Sequence, residues 1–381
     1  MTEKIYYYNA YVKEFDSEIL SVTPTSNGKF DVVLLATAFF PEEGGQSSDT
    51  GFIGSARVIH AYEENLVVHH ITDTHPGEGS VHCSLDFDER FDKMQCHTAE
   101  HILCGIIHRL FGLENVGFHL GKDDVTFDVN GVLAREDLDR VEELANEAVF
   151  ANIPIETSFP SPEELPTLTY RSKLELTENV RLVKIGDVDT CACCAPHVSR
   201  TGEIGLIKIL DFEKHRGGLR IIMVAGKRAL HDYRTKYSNI KEISAILSEP
   251  QHTTAEALGR FSADFEDTRA RLKASRLELA REIAKREEGS DKNAVFLFPE
   301  WTLDELREFS NSIIDRVGGM LVALCGKDGD YKYIISSKNI NLSEKIREIN
   351  AALSGRGGGK PGMVQGTFLT DIETVKAYFA Q

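Results

Sequence analysis

Two pairs of metal-binding residues lie far apart in this chain. His97 and His101 occur in QCHTAEHIL, and Cys193 and His197 occur in CCAPHVSRTGEIG. In an α-helix an interval of four residues is little more than one turn, so the two histidines project from one face about 6 Å apart along the axis. Histidine and cysteine together are common ligands of zinc. The two pairs therefore predict one tetrahedral Zn²⁺ site, and such a site requires a fold that brings these remote segments together.

Length and cysteine usage narrow the class of protein. The 381 residues suffice for two or three domains, each with its own core. The sequence has no apolar run long enough for a membrane span and no secretory signal at its polar start, so a cytoplasmic location is expected. Seven cysteines, three of them in CACC, suit a reducing compartment in which thiols bind metal. The other four are expected to be buried and unreactive: Cys83, Cys96, Cys104 and Cys325.

The net charge of −17 argues against non-specific binding of polyanions, because phosphate contacts need lysine and arginine. A nucleic-acid partner would have to meet local basic patches. Each basic residue in these patches could equally be an ordinary solvent-exposed side chain with no role in binding. The candidates are Lys214, Arg216, Arg220, Lys227, Arg228, Arg356 and Lys360.

The hydrophobic pattern predicts an α+β protein of four segments. Residues 1–90 alternate apolar and polar positions and predict a small antiparallel, β-barrel-like domain. Residues 91–237 predict a mixed α/β domain that contains the zinc ligands. Residues 238–290 predict a helical linker or coiled coil, and residues 291–381 predict an α/β domain.

Helices are predicted at three places. The helix that carries the histidines runs from Phe91 to Phe111 and ends at Gly112, and a second helix spans 135–150. Apolar residues seven apart on a highly charged segment predict a long exposed helix, which could form a helical hairpin or a homodimer seam; they are Leu258, Phe265, Leu272 and Leu279. The strand-like runs NVRLVKIG, EIGLIKILDFEKH and LRIIMVAG predict one further sheet in the central domain.

The segment HTAEH also matches H-x-x-E-H, the signature of inverted zinc peptidases, in which Glu100 would be the general base. Its third ligand would be a downstream carboxylate such as Glu175 or Glu178. That reading leaves Cys193 and His197 without a role, so a mixed site is favoured. Glu100 is then expected to face solvent or to support the ligands from behind.

Some alternatives remain open around the two ligand pairs. Cys191 and Cys194 compete with Cys193 if the CACC loop bends differently, and Cys104 is a substitute ligand on the helix. His108 lies about 16 Å from His97 along the helix, too far to share one ion.

Two glycine-rich segments each admit a simple interpretation. TAFFPEEGGQSSDTG fits a hairpin, although its backbone amides and short polar side chains could also face a small ligand. GRGGGKPG lacks the Lys-Ser or Lys-Thr pair that ends a phosphate-binding loop, and neither segment shows G-x-G-x-x-G after a predicted strand, so nucleotide binding is unsupported.

Several separated motifs together resemble the free-standing alanyl-tRNA editing proteins, which are relatives of the editing half of alanyl-tRNA synthetase. FFPEEGGQSSDTGFI resembles the family's FYPEGGGQ segment, HTAEHIL its H-x-x-x-H helix, and CCAPHVSRTGEIG its C-x-G-T-H-V segment. GLRIIMVAGKRAL resembles the arginine-bearing strand that follows, and GRGGGKPGMVQG resembles the glycine-rich signature of the DHHA1 domain. The resemblance covers nearly the entire chain.

The resemblance implies that the protein acts, without ATP, on alanine tRNA that carries the wrong amino acid. It would hydrolyse the ester bond that joins serine, or glycine, to the terminal adenosine. It implies that His97, His101, Cys193 and His197 bind Zn²⁺. Contacts to the substrate are expected from Thr37, Gly45 and Gln46, and contacts to tRNA from Arg216, Arg220, Arg356 and Lys360. No general base is assigned by the resemblance. The competing hypotheses are that the protein is a zinc peptidase, or that it is a non-catalytic tRNA-binding protein with a structural zinc.

Three features depart from the family pattern. Glu43 replaces a glycine, Ala195 and Pro196 replace Gly-Thr, and no aminoacylation domain is present. The last departure predicts action in trans on tRNA charged elsewhere.

Overall fold

The computed structural model describes residues 1–121, 125–172, 180–285 and 292–380. Contacts divide the chain into two compact units, Met1–Lys241 and Glu242–Gln381. Both units contain helices and sheets, so the predicted α+β class is confirmed. Among the described residues, no helix combines the length and the apolar character needed to cross a bilayer.

The first unit begins with β-strands. Six of them close into a barrel in the order β2-β3-β7-β6-β5-β8, and the short pair β1 and β4 is parallel. Alternate residues of these strands point inward, as the sequence pattern predicts, and form a core that includes Val32, Leu34, Phe39 and Val58. The strands are β1 (Glu3–Lys4), β2 (Glu14–Pro24), β3 (Phe30–Leu34), β4 (Ala36–Thr37), β5 (Gly51–Ile53), β6 (Ala56–Glu64), β7 (Val67–Thr72) and β8 (Gly79–Leu85).

Helix α1 (Phe87–Phe111) follows the barrel and carries both predicted histidine ligands. It begins four residues before the predicted start, and acidic Asp88 and Glu89 in its first turn suit the positive end of the helix dipole. It ends at Gly112 as predicted, where a φ of 66° gives the left-handed cap that glycine favours. Every residue from 93 to 107 is buried, so α1 is the central helix of this unit.

A buried ion pair joins α1 to the barrel. The Arg90 guanidinium bonds the carboxylate of Asp49, and it also donates to the carbonyl oxygens of Ala10 and Ala38. Arg90 is 1% exposed and Asp49 is 2% exposed. The start of the histidine helix is thereby fixed against the segment that follows FFPEEGGQ.

Two sheets accompany α1, where one was predicted. One has the order β14-β15-β10-β9 and the other the order β11-β12-β13. The single-sheet prediction was wrong because NVRLVKIG pairs with its sequence neighbours rather than with the later strands. Helix α2 (Arg135–Phe150) matches the predicted range. The strands are β9 (Asn115–Leu120), β10 (Val125–Val129), β11 (Ile155–Ser158), β12 (Leu182–Ile185), β13 (Asp189–Ala192), β14 (Ile207–His215) and β15 (Gly218–Ala225).

The second unit contains a five-stranded sheet in the order β16-β17-β18-β20-β19, so β19, which holds the glycine run, is an edge strand. Helix α3 (Gly226–Leu247) leads into this unit, and α4 (Thr254–Ala284) follows. The predicted heptad residues of α4 are at least half exposed, which confirms an exposed helix. The remaining elements are β16 (Ala294–Leu297), α5 (Leu303–Ile313), β17 (Leu321–Lys327), β18 (Asp330–Ser336), α6 (Leu342–Ala352), β19 (Gly355–Lys360), β20 (Met363–Phe368) and α7 (Ile372–Phe379).

Candidate metal centre and its cavity

The two predicted ligand pairs meet in the first unit. One ligand atom from each of His97, His101, Cys193 and His197 lies within 4.8 Å of every other. Sγ of Cys193 is 3.7 Å from Nε2 of His97 and 3.4 Å from Nε2 of His197. Zinc bonds of about 2.3 Å to sulfur and about 2.0–2.1 Å to nitrogen place tetrahedral ligands about 3.6 Å apart. The spacing and the chemistry of these donor atoms fit Zn²⁺.

Two of the imidazoles are oriented by acceptors on their far side. Nδ1 of His97 lies 2.8 Å from Oε1 of Gln46, and Nδ1 of His101 lies 3.1 Å from Oδ2 of Asp189. An amide oxygen and a carboxylate accept hydrogen bonds, so each Nδ1 carries the proton. When each ring is neutral, its lone pair is therefore at Nε2, which faces the other ligands, as in protein metal sites with supporting carboxylates.

The third imidazole is oriented by a threonine hydroxyl. Oγ1 of Thr98 donates its proton to the carbonyl oxygen of Met94 at 2.7 Å and lies 3.0 Å from Nδ1 of His197. A hydroxyl has one proton to give, so toward His197 it must act as an acceptor. Nε2 of His197 is thus also left with its lone pair. All three histidines present the same nitrogen to one point.

The charges at this point favour a cation. Although burial opposes a charged thiolate, the neighbouring His97 and a hydrogen bond from His101 hold the pKa of Cys193 well below its usual range. Burial lowers the pKa of His197 to about 3, so that ring stays neutral. Burial also acts to lower the pKa of His101, but Cys191, Asp189 and Cys193 raise it well above its usual value. A cation entering the site would therefore compete with a proton on His101.

Glu100 is buried, which excludes the first of its two expected placements, facing solvent, and leaves the second, behind the predicted ligands. It is 4% exposed, and its carboxylate accepts hydrogen bonds from the Cys104 thiol and the Asn115 amide. Its Oε2 is 4.0 Å from Nε2 of His101. The helix spacing places Glu100 next to His101 on the inner face, where it supports Cys104 and Asn115.

The loop PEEGGQ contacts both the metal ligands and the sheet. An isolated bridge joins Glu43 and Gln46, and the backbone between them turns through two glycines with positive φ. A Cβ at Gly45 would collide with the carbonyl oxygen of Phe118. Glycine is thus required for the loop to lie on β9, and this close contact places Gln46 against His97. Gly45 therefore supports the site through its backbone.

A cavity of about 460 Å³ adjoins the ligands. Its wall combines carboxylates, guanidinium groups, thiols and aromatic rings. The residues that line it include Tyr7, Glu43, Gly44, His97, Glu100, His101, Glu114, Asn115, Phe118, Arg171, Arg181, Cys191, Cys193, Cys194 and Ala195. A volume of this order accommodates a small organic group next to the metal position.

Two arginines in the cavity wall differ in their partners. The Arg171 guanidinium makes two hydrogen bonds of 2.8 Å to the carboxylate of Asp189. Nη1 of Arg181 instead donates to the carbonyl oxygens of Cys193 and Ala195 at 2.9 Å each. Nothing in the spacing of the sequence singles out Arg171, Arg181 or Asp189, because their role depends on contacts between remote segments.

The remaining predicted site residues lie elsewhere. Thr37 is fully buried, and its hydroxyl is 2.8 Å from Nε2 of His70. It is absent from the described wall of the cavity. Arg220 is paired with Asp128 at 2.8 Å, and Arg216 is exposed in the adjoining turn with a φ of 46°.

The second unit holds the other two candidate tRNA contacts. Arg356 and Lys360 are exposed on the edge strand β19. The predicted peptidase ligands Glu175 and Glu178 lie outside the described residues. The four cysteines predicted to be structural are buried, and burial raises the pKa of the Cys83 and Cys96 thiols to about 12.

Two family models match the chain. Residues 180–222 match the second additional domain of threonyl- and alanyl-tRNA synthetases, and residues 291–377 match the DHHA1 domain. The first match includes Cys193 and His197, and the second includes the β19 segment.

Named relatives match along most of the chain. An alanyl-tRNA editing protein, AlaX-L of Pyrococcus horikoshii, is 28% identical over 96% of this chain and 94% of its own length. The alanyl-tRNA editing protein Aarsd1 of Danio rerio is 27% identical over 94% of this chain and 92% of its own length. An alanine–tRNA ligase of Natronomonas pharaonis is 30% identical over 96% of this chain, which spans 42% of that enzyme.

Proposed function

We propose, from the premise that this chain is a relative of the alanyl-tRNA editing proteins, that it is a hydrolase that deacylates mischarged alanine tRNA in trans. Water would cleave the ester that joins the wrong amino acid to the terminal adenosine, which yields a free amino acid and a free ribose hydroxyl. Editing relatives that match over more than nine-tenths of their own length support this proposal. The convergence of the four ligand atoms beside a cavity carries it.

The residues of the site fit Zn²⁺ as the cofactor. His97, His101, Cys193 and His197 would hold it, and Gln46, Asp189 and Thr98 would keep the imidazoles in the required orientation. A zinc with four protein ligands has no open position, so it would supply an electrophile for the ester carbonyl, or acidify a water, only when one ligand detaches, and would otherwise anchor the substrate. The protein's own contribution is to exclude bulk water and to place the aminoacyl end within the cavity.

The expected amino acid is serine, with glycine as the second candidate. The cavity wall carries polar groups for a hydroxyl, among them the Cys194 thiol, whereas the Asn115 amide in the same wall already donates to Glu100 and Cys104. A site that bonds the hydroxyl would reject alanine, because its polar groups would lose their partner. Thr37 is buried against His70, so a direct contact with serine would require a change from this arrangement.

The candidate tRNA contacts differ in how available their charges are. Arg356 and Lys360 are exposed and suit contacts with phosphate groups. Arg216 is also exposed, whereas Arg220 already bonds Asp128. We therefore expect the first three to contribute more than Arg220.

The test is release of serine from seryl-tRNA of the alanine type by the zinc-loaded protein, with alanyl-tRNA as the comparison substrate. Serine release with alanyl-tRNA left largely intact is the expected result, and Cys193→Ala should abolish it. Cys325→Ala is the matched control because this thiol is buried in the other unit.

Two outcomes would overturn the assignment. Tight tRNA binding without any release would indicate a binding protein with a structural zinc, for which four protein ligands are typical. Peptide cleavage that is lost in Glu100→Gln and retained in Cys193→Ala would indicate the peptidase.

A further inference from the structure

Arg181 is a buried cation without a carboxylate partner in the described part of the chain. It is 6% exposed, and it lies in the cavity wall next to the metal ligands. Its two hydrogen bonds come from Nη1 and go to backbone carbonyls. Nε is buried and has no acceptor among the described residues. A charge removed from water in this way is costly unless a counter-charge reaches it.

The surroundings of Arg181 leave room for an anion from outside. Its guanidinium stands over the Tyr7 ring at 5.7 Å from the ring centre, which holds it without neutralising it. The nearby Arg171 differs because the carboxylate of Asp189 already accepts two hydrogen bonds from its guanidinium. Of these two cavity-lining guanidinium groups, Arg181 is therefore the one that can accept a new anionic partner.

The chemistry of the substrate identifies that partner. In an aminoacyl ester the carboxylate of the amino acid is no longer charged, so the nearest anion is the phosphodiester on the 5′ side of the terminal adenosine. The cavity also contains Glu43, Glu100 and Glu114, and their carboxylates would repel a phosphate. A guanidinium that has no carboxylate partner in the part of the chain that the structure describes is the group that compensates for this repulsion, since its planar donors match phosphate oxygens.

We propose that Arg181 binds the phosphodiester that precedes the terminal adenosine and thereby positions the ester beside the metal ligands. This inference rests on the proposed function. Arg181 is a binding residue in this account, because it contacts the substrate away from the reacting atoms. Its Nη1 bonds to the Cys193 and Ala195 carbonyls fix the guanidinium relative to the metal-binding loop.

The test compares two non-hydrolysable ligands on the zinc-loaded full chain by calorimetry. Both are 3′-serylamino-3′-deoxyadenosine, one with a free 5′-hydroxyl and one with a 5′-methylphosphate. The wild type should bind the phosphorylated ligand about 10- to 100-fold more tightly, the range of one charge-assisted contact. Arg181→Gln should abolish this preference, and Arg181→Lys should retain part of it. Arg171→Gln, the matched control in the same wall, should retain it.

Three contrary results would distinguish failure of this inference from failure of the proposed function. Equal binding of both ligands by the wild type would overturn the phosphate contact and leave the proposed function standing. Loss of zinc in Arg181→Gln, with both ligands weakened equally, would show that Arg181 only anchors the loop. Binding of neither ligand by the zinc-loaded wild type would contradict the proposed function as well as this inference.

Discussion

Oε1 of Gln46 lies 2.8 Å from Nδ1 of His97, although the two residues come from different structural elements. Gln46 ends the PEEGGQ loop, and His97 lies in the middle of α1. The contact sets which imidazole nitrogen carries the proton and turns Nε2 toward the other ligands. A segment that resembles an ordinary hairpin in the sequence therefore orients a histidine of the candidate metal centre.

Substitution of Gln46 should weaken metal binding. Gln46→Ala removes the acceptor for the His97 proton, so the ring can take either tautomer and either orientation. We expect about a 10- to 100-fold loss of zinc affinity, the usual effect of removing such a support. Competition with a chromophoric chelator measures it. Gln365→Ala is the matched control, since Gln365 is exposed in the second unit; an unchanged affinity in Gln46→Ala would show that the contact does not support the site.

The buried pair of Arg90 and Asp49 should matter more for stability than an exposed pair. Arg90→Met leaves the Asp49 carboxylate buried without its partner, which costs about 3–5 kcal/mol. Arg57→Met breaks the partly exposed pair with Asp86 and should cost about 1 kcal/mol or less. Hydrogen exchange of α1 reports the opening free energy of each variant. Equal losses in the two variants would contradict the proposed importance of burial.

The barrel should lose stability in mild acid because of His70. Burial lowers the pKa of His70 to about 4, from 6.5 for the ordinary side chain. The unfolded chain therefore binds more protons between these two values, and stability falls as the pH decreases from 6.5 toward 4. At pH 5 the free energy of unfolding should be about 2 kcal/mol lower than at pH 7.

His70→Gln removes this titration and should flatten the pH dependence. Hydrogen exchange of β3 and β7 at pH 7 and pH 5 measures it, and the exposed His82→Gln is the control. If His70→Gln showed the same acid loss as the wild type, the assignment to His70 would be wrong.

Local sequence patterns predicted individual helices and strands, but not which remote segments contact one another. Helix α2 and the Gly112 end of α1 follow from apolar spacing and from the need for a left-handed cap. The candidate ligand set followed from the chemistry of histidine and cysteine and from the family resemblance; the four side chains lie together in the structure, and their binding of zinc stays a prediction. The acceptors Asp189 and Thr98 could not be predicted, because their function depends on which segment packs against α1. The sequence left two placements open for Glu100 for the same reason, and the structure selects the buried one because α1 is covered on nearly all sides.

X-ray absorption at the zinc edge tests the central claim most directly. The account predicts one zinc per chain with three nitrogen ligands at about 2.0–2.1 Å and one sulfur ligand at about 2.3 Å. Cys193→Ser should remove the sulfur contribution. A shell with no sulfur in the wild type, or a sulfur signal that survives in Cys193→Ser, would contradict the assignment of these four residues to one metal ion.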